Sequence, residues 1–106
     1  MNALPYTAVT STGEAFDIRF PLHPQTGSEE AVAGMLTSVL DALTRTLADR
    51  SDVTDGDVLQ ALAMALAIRA RMVDAKPSAS MRLMHELVDG AFAATLDATR
   101  YQAARA

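Results

Sequence analysis

The polarity pattern of the chain changes near residue 27. Before it, Phe16, Ile18 and Phe20 alternate with Asp17 and Arg19, which puts three large apolar groups on one face of a strand. Upstream, Tyr6 to Thr10 is rich in β-formers. Between the two, Ser11-Thr12-Gly13-Glu14 supplies turn residues, with Gly13 free to take a positive φ. The pattern predicts a β-hairpin over 5–20, ended by Pro21 and Pro24.

After residue 27 the apolar period lengthens to that of a helix. Three helices are predicted, over 28–49, 54–75 and 78–100. Ser28 is placed to cap the first, with Glu29 and Glu30 at its positive end. Val32, Met35, Leu36, Val39, Leu40, Leu43 and Leu47 then fall in one arc of about 140°. Asp41 and Arg45 on the opposite side are spaced for an i,i+4 ion pair. The second helix has the strongest start signal: Thr54 as N-cap, Asp57 three residues on as the capping-box acid, and Val53 and Val58 at the staple positions. Its apolar arc, which includes Val58, Leu59, Leu62, Met64, Leu66, Ile68, Met72 and Val73, spans about 220° and predicts a central helix covered on most sides. The third helix follows the break at Lys76-Pro77, capped by Ser78 or Ser80. Leu83, Met84, Leu87, Val88, Ala91, Phe92, Thr95 and Leu96 cover about 200° of it, with Arg82, Glu86, Asp89, Asp97 and Arg100 on the solvated side. Gly90, inside this helix, costs about 1 kcal/mol relative to Ala and allows a close approach by a neighbouring element. Residues 102–106 are expected to fray.

These elements predict one domain over 1–106, mainly α in an α+β arrangement: an N-terminal β-hairpin packed on a three-helix antiparallel bundle. A monomeric bundle needs about one apolar stripe per helix, whereas the second and third helices each carry nearly two. The hairpin covers one surplus patch at most, and large exposed apolar patches are uncommon on soluble monomers. A homodimer or an obligate complex with another protein is therefore expected. The interface candidates are Met64, Ile68, Arg69, Met72, Leu83, Leu87 and Phe92. Arg69 sits inside an apolar arc and has two explanations: its stem covers apolar neighbours while its head reaches water, or it meets a carboxylate of another helix or of the partner. The five internal methionines suit either core filling or an adaptable partner surface, Met64 being the outermost on its arc.

Composition narrows the rest. Half of the 106 residues are hydrophobic, so the chain has material for a core. There is no cysteine, which removes disulfides, thiolate metal sites and a cysteine nucleophile. A net charge of −4 argues against nucleic-acid binding, and a helix-turn-helix fails because Glu86, Asp89 and Asp97 share the exposed face of the third helix. The most apolar stretch, 58–73, is interrupted by Gln60, Arg69 and Arg71, so no membrane span or signal peptide is expected. Arginine is heavily favoured over lysine and about a fifth of the residues are alanine, the signature of a GC-rich bacterial genome; a cytoplasmic protein is the default expectation.

Candidate chemistry is sparse. His85-Glu86-Leu87-Val88-Asp89 has the start of a His-Glu-x-x-His zinc motif, but Asp89 stands where the second His is required, and His85 can instead bond Asp89 one turn on. Asp52 to Asp57 is acidic, yet Gly56 is out of position for a calcium loop and Ala63 stands where its final Glu belongs, so capping explains it better. The glycines are isolated, no Gly-x-Ser-x-Gly elbow occurs, and His23 sits in a loop. No catalytic, cofactor or metal residue is assigned. The expectation is a small non-enzymatic protein acting by protein–protein interaction, as an adaptor, an assembly or secretion chaperone, or a regulator. The alternatives are a small-ligand module with a pocket between the second and third helices lined by Met64, Met72, Met84 and Phe92, and an enzyme with a site across a dimer built from His23, His85 or Arg69.

Overall fold

The computed structural model describes residues 3–102. It has an α+β fold with the order β1 (Ala3–Val9), β2 (Glu14–Pro21), α1 (Glu29–Leu47), α2 (Asp55–Arg71), α3 (Pro77–Leu96) and β3 (Thr99–Gln102). The strands form one antiparallel sheet in the order β1-β2-β3. Two compact units divide the chain: one joins residues up to Ala33 with those from Glu86 onward, and the other is Gly34–His85.

In the first unit the hairpin forms as its alternation predicts. The register pairs Leu4 with Phe20, Tyr6 with Ile18, and Ala8 with Phe16, so one face of the hairpin carries Leu4, Tyr6, Phe16, Ile18 and Phe20 together. Leu4 and Ile18 on this face are buried, and the Tyr6 and Phe20 rings meet at 6.5 Å. Gly13 takes φ +89° in the turn, where Thr10 N–H donates to Glu14 O at 2.8 Å and Gly13 N–H to Thr10 O at 3.0 Å. Pro5 lies within β1, and Pro21 is the last residue of β2 rather than the first beyond it. β1 is an edge strand, the position in a sheet where a residue without an N–H is tolerated.

The third strand is a departure from the sequence pattern. The third helix does not continue to residue 100; it stops at Leu96, and Thr99–Gln102 pairs with Glu14–Asp17. Specific side chains hold this strand. The Arg100 guanidinium lies 4.7 Å over the Phe16 ring and donates to Glu14 at 2.8 Å. On the other face, Tyr101 donates its hydroxyl to Asp17 at 3.1 Å, and Thr7 donates to the same oxygen at 2.7 Å. Between Val9 and Tyr101, on the strands either side, Ala15 is buried to 1% exposure. Arg100 is thus a strand residue and Gln102 is ordered within the sheet; residues 103–106, which were expected to fray, lie outside the described residues.

The helix starts follow their caps. Ser28 Oγ accepts from Ala31 N–H at 3.1 Å. The full capping box forms at α2, with Asp57 N–H donating to Thr54 Oγ1 and Thr54 N–H to Asp57 Oδ2, both at 3.1 Å. α3 starts at Pro77, so Ser78 and Ser80 lie inside the helix rather than capping it: Lys76 O accepts from Ala79 and Ser80, and Pro77 takes the first helical position, where its missing N–H is no loss. α2 ends at Arg71 rather than 75. Met72 is its C-cap, donating to Arg69 O, and the approach to Pro77 disfavours helical geometry at the preceding residue. Met72 and Val73 therefore lie beyond the helix.

Candidate interaction surface

Among the described residues the buried hydrophobic core consists of Leu4, Ala15 and Ile18, all in the sheet. None of the three helices contains a buried residue. The expectation of a central helix covered on most sides is corrected on this point. In the single chain α2 leaves Leu59, Met64, Leu66 and Ile68 exposed, followed by Met72 and Val73. Within Gly34–His85 the side of α2 that carries Val58 and Leu62 gains partial cover, and the rest of the arc meets no packing partner in this unit.

Within Gly34–His85 the half-buried residues trace narrow seams. On α1 they are Leu36, Leu40, Leu43 and Leu47, a run at 3–4 residue spacing. On α2 they are Val58, Leu62 and Ala70, and Val53 ahead of the helix is half-buried with its staple partner Val58. Val32, Met35 and Val39, counted in the α1 arc from sequence, are left exposed.

The interface candidates are all exposed: Met64, Ile68, Arg69 and Met72 around α2, and Leu83, Leu87 and Phe92 on α3. Met81, which no arc included, and Val88 and Leu96, placed in the apolar arc but not among the interface candidates, are exposed as well. Met81, Val88 and Phe92 recur at seven and four residues along one side of α3, a spacing visible in the sequence once that side is known to be bare. Arg69 is exposed and has no carboxylate partner among the described residues; its guanidinium donates to the Met72 thioether at 3.0 Å.

The polar candidates are accounted for locally. Both Asp52 oxygens accept from Arg50, at 3.1 and 2.9 Å, and this guanidinium, followed by the residue's own backbone, holds the Asp52 carboxyl below the usual carboxylate range. With Asp57 engaged in the cap, the acidic segment between α1 and α2 is a capping structure. His23 organises a turn: its Nδ1 accepts from Gln25 N–H at 3.1 Å and its carbonyl from the Thr26 hydroxyl at 2.7 Å. His85 is exposed, and among the described residues neither a His85–Asp89 hydrogen bond nor an Asp41–Arg45 ion pair forms. No set of three His, Asp or Glu side chains among the described residues is grouped to hold a metal ion.

In the first unit, Pro21, Leu22, His23, Glu86, Leu87 and Gly90 line a recess of about 120 Å³. That is well below the roughly 300 Å³ at which small-molecule sites begin. A second, open depression runs along the sheet past Thr7, Asp17, Arg19 and Thr99, where the Asp17 oxygen is already shared by Thr7 and Tyr101. Of the residues expected to line a ligand pocket, Met64, Met72 and Phe92 are exposed and Met84 is half-buried. Among the described residues no helix is long and apolar enough to cross a membrane. Compared with known proteins, the chain matches no family model, no curated protein and no solved structure.

Proposed function

We propose that this is a small, non-enzymatic, cytoplasmic bacterial protein that works by binding protein: an adaptor, an assembly or secretion chaperone, or a regulator whose helices are completed by a partner surface. One observation carries this reading: three helices of 17 to 20 residues with no buried side chain, two of them bearing apolar residues on more than one side. Helices of this length draw most of their stability from packing an apolar face rather than from intrinsic propensity. Apolar groups such as Ile68 and Phe92, if left in water, each forgo roughly 1.5–3 kcal/mol that burial contributes. Cover from a second protein surface supplies what the single chain lacks.

The test is dye binding and thermal melting of the purified chain in dilute solution, with light scattering to fix its mass. Apolar-dye binding that disappears when the chain is in a complex, whether with itself or with another protein, is the expected result. A monomer that melts cooperatively and binds no dye overturns the reading, because its apolar faces are then covered from within.

A further inference from the structure

We propose that the partner of α2 is α2 of a second copy of this chain, packed antiparallel about a twofold axis through Met64; this rests on the protein-binding reading above. Asp57, Ala61, Met64, Ile68 and Arg71 recur at spacings of four, three, four and three residues, the repeat of a helix–helix seam. All five are exposed. At 100° per residue their mean direction lies about 120° round α2 from that of the half-buried Val58 and Leu62, so the seam runs along a separate, exposed side.

This seam is complementary to itself. With a rise of about 1.5 Å per residue, Arg71 and Asp57 each stand about 10.5 Å from Met64, on opposite sides of it. Reversing one helix about Met64 brings Arg71 level with the partner copy's aspartate at the same position as Asp57, at both ends of the contact. Ile68, about 6 Å from the axis, comes level with the second copy's alanine at position 61, about 4.5 Å from it, so a large side chain faces a small one. The two methionines meet at the centre, where an unbranched thioether adapts to its own image. A parallel pairing loses this match, because it sets Arg71 against Arg71 and Asp57 against Asp57.

The charges are available for this contact. Arg71 has no ion pair among the described residues, and Asp57 uses Oδ2 for the Thr54 cap, which leaves Oδ1 to accept. Arg69, by contrast, points from the half-buried side of α2 and is engaged with Met72. A twofold contact of this kind is isologous and closes at two chains, as most soluble homo-oligomers do.

Because the chain contains no cysteine, a single introduced thiol reports the axis directly. Helix axes packed 8–10 Å apart, each with a Cα radius of about 2.3 Å, leave roughly 3.4–5.4 Å between the two Cα atoms on the axis, a range that overlaps disulfide geometry. The full chain carrying Met64→Cys is compared with Leu59→Cys under a mild oxidant. Leu59 is 67% exposed against 56% for Met64 and lies about 140° round the helix, so random collision favours it if anything. The expected result is a covalent dimer that forms at least tenfold faster from Met64→Cys. In the same chain Arg71→Glu weakens the dimer by roughly tenfold and Arg69→Ala leaves it unchanged. Equal or reversed crosslinking rates on a chain that light scattering shows to be dimeric overturn this seam while leaving the protein-binding reading intact. A chain that stays monomeric at tens of micromolar yet binds apolar dye overturns self-pairing in favour of a different partner.

Discussion

Gly90 gives the sharpest test of the packing described for the first unit. It lies inside α3, where glycine costs about 1 kcal/mol relative to alanine. A Cβ at this position would stand 3.5 Å from Pro21 Cγ, an ordinary van der Waals distance, so the close approach allowed by sequence is made by the end of β2 and leaves room for one methyl. The added contact is worth only about 0.1–0.2 kcal/mol, and propensity dominates the sum. Gly90→Ala should therefore stabilise the protein by about 1 kcal/mol and raise Tm by about 4–8 °C for a chain of this size. Gly34→Ala in α1 is the control, because nothing lies within 4 Å of a Cβ there and propensity acts alone. Melting curves of both variants, followed by circular dichroism at one protein concentration, decide the matter. A fall in Tm for Gly90→Ala beside a rise for Gly34→Ala refutes the reasoning, since the space at Gly90 would then be filled by something more than the Pro21 ring.

Three further outcomes follow from local contacts. Thr54→Ala removes the side chain that receives Asp57 N–H and should cost about 1 kcal/mol by chemical denaturation, whereas Thr54→Ser retains the acceptor and most of the stability. Arg100→Ala loses both the stacking on Phe16 and the ion pair with Glu14; with both partners partly exposed, the cost is about 1 kcal/mol at most, read as faster amide exchange in Thr99–Gln102. The Tyr101 phenol is pushed above its ordinary range chiefly by its hydrogen bond to Asp17, then by slight desolvation and by the aspartate's charge. A raised folded value means that this contact stabilises the fold below the ordinary tyrosine pKa of about 10 and is lost as pH climbs through the raised value. Ultraviolet titration should show one tyrosine ionising late, and Asp17→Asn should bring it back toward the unfolded value.

How much of the fold could be read in advance depended on the range of the interactions involved. The hairpin and the caps at Ser28 and Thr54 are set by residues within a few positions of one another, and all formed where the sequence placed them. β3 was missed because its evidence is long-range. Thr99-Arg100-Tyr101-Gln102 continues a helical run in composition, and only pairing with Glu14–Asp17, more than eighty residues earlier, gives Arg100 and Tyr101 their partners. The alternation of Thr99 and Tyr101 with Arg100 and Gln102 was the available signal, masked by the alanines around it. The width of the α2 arc showed that cover would be scarce, but an arc alone does not say which side goes uncovered. Half-burial of Val58 and Leu62 fixes that side, and only then does the spacing of Asp57, Met64 and Arg71 acquire a meaning.

Bare helices also constrain the thermodynamics. In Gly34–His85 no residue is buried: the side chains that gain cover, among them Leu36, Leu40, Leu43, Val58 and Leu62, are only half-buried. Packing this thin leaves part of the entropy cost of ordering α1 and α2 to be offset from outside the unit. If the missing stabilisation comes from a second copy of the chain, folding and association are one equilibrium, and stability depends on protein concentration. A tenfold rise in concentration then adds about 1.4 kcal/mol per dimer, which for two chains of this length moves Tm upward by about 3–6 °C. Calorimetry over a hundredfold range of concentration should show that drift, and Met64→Glu, which sets two carboxylates against each other on the axis, should lower the whole series. A melting temperature that is high, sharp and independent of concentration would mean that the entropy of ordering α1 and α2 is offset inside a single chain, and the self-pairing of α2 would have no energetic work left to do.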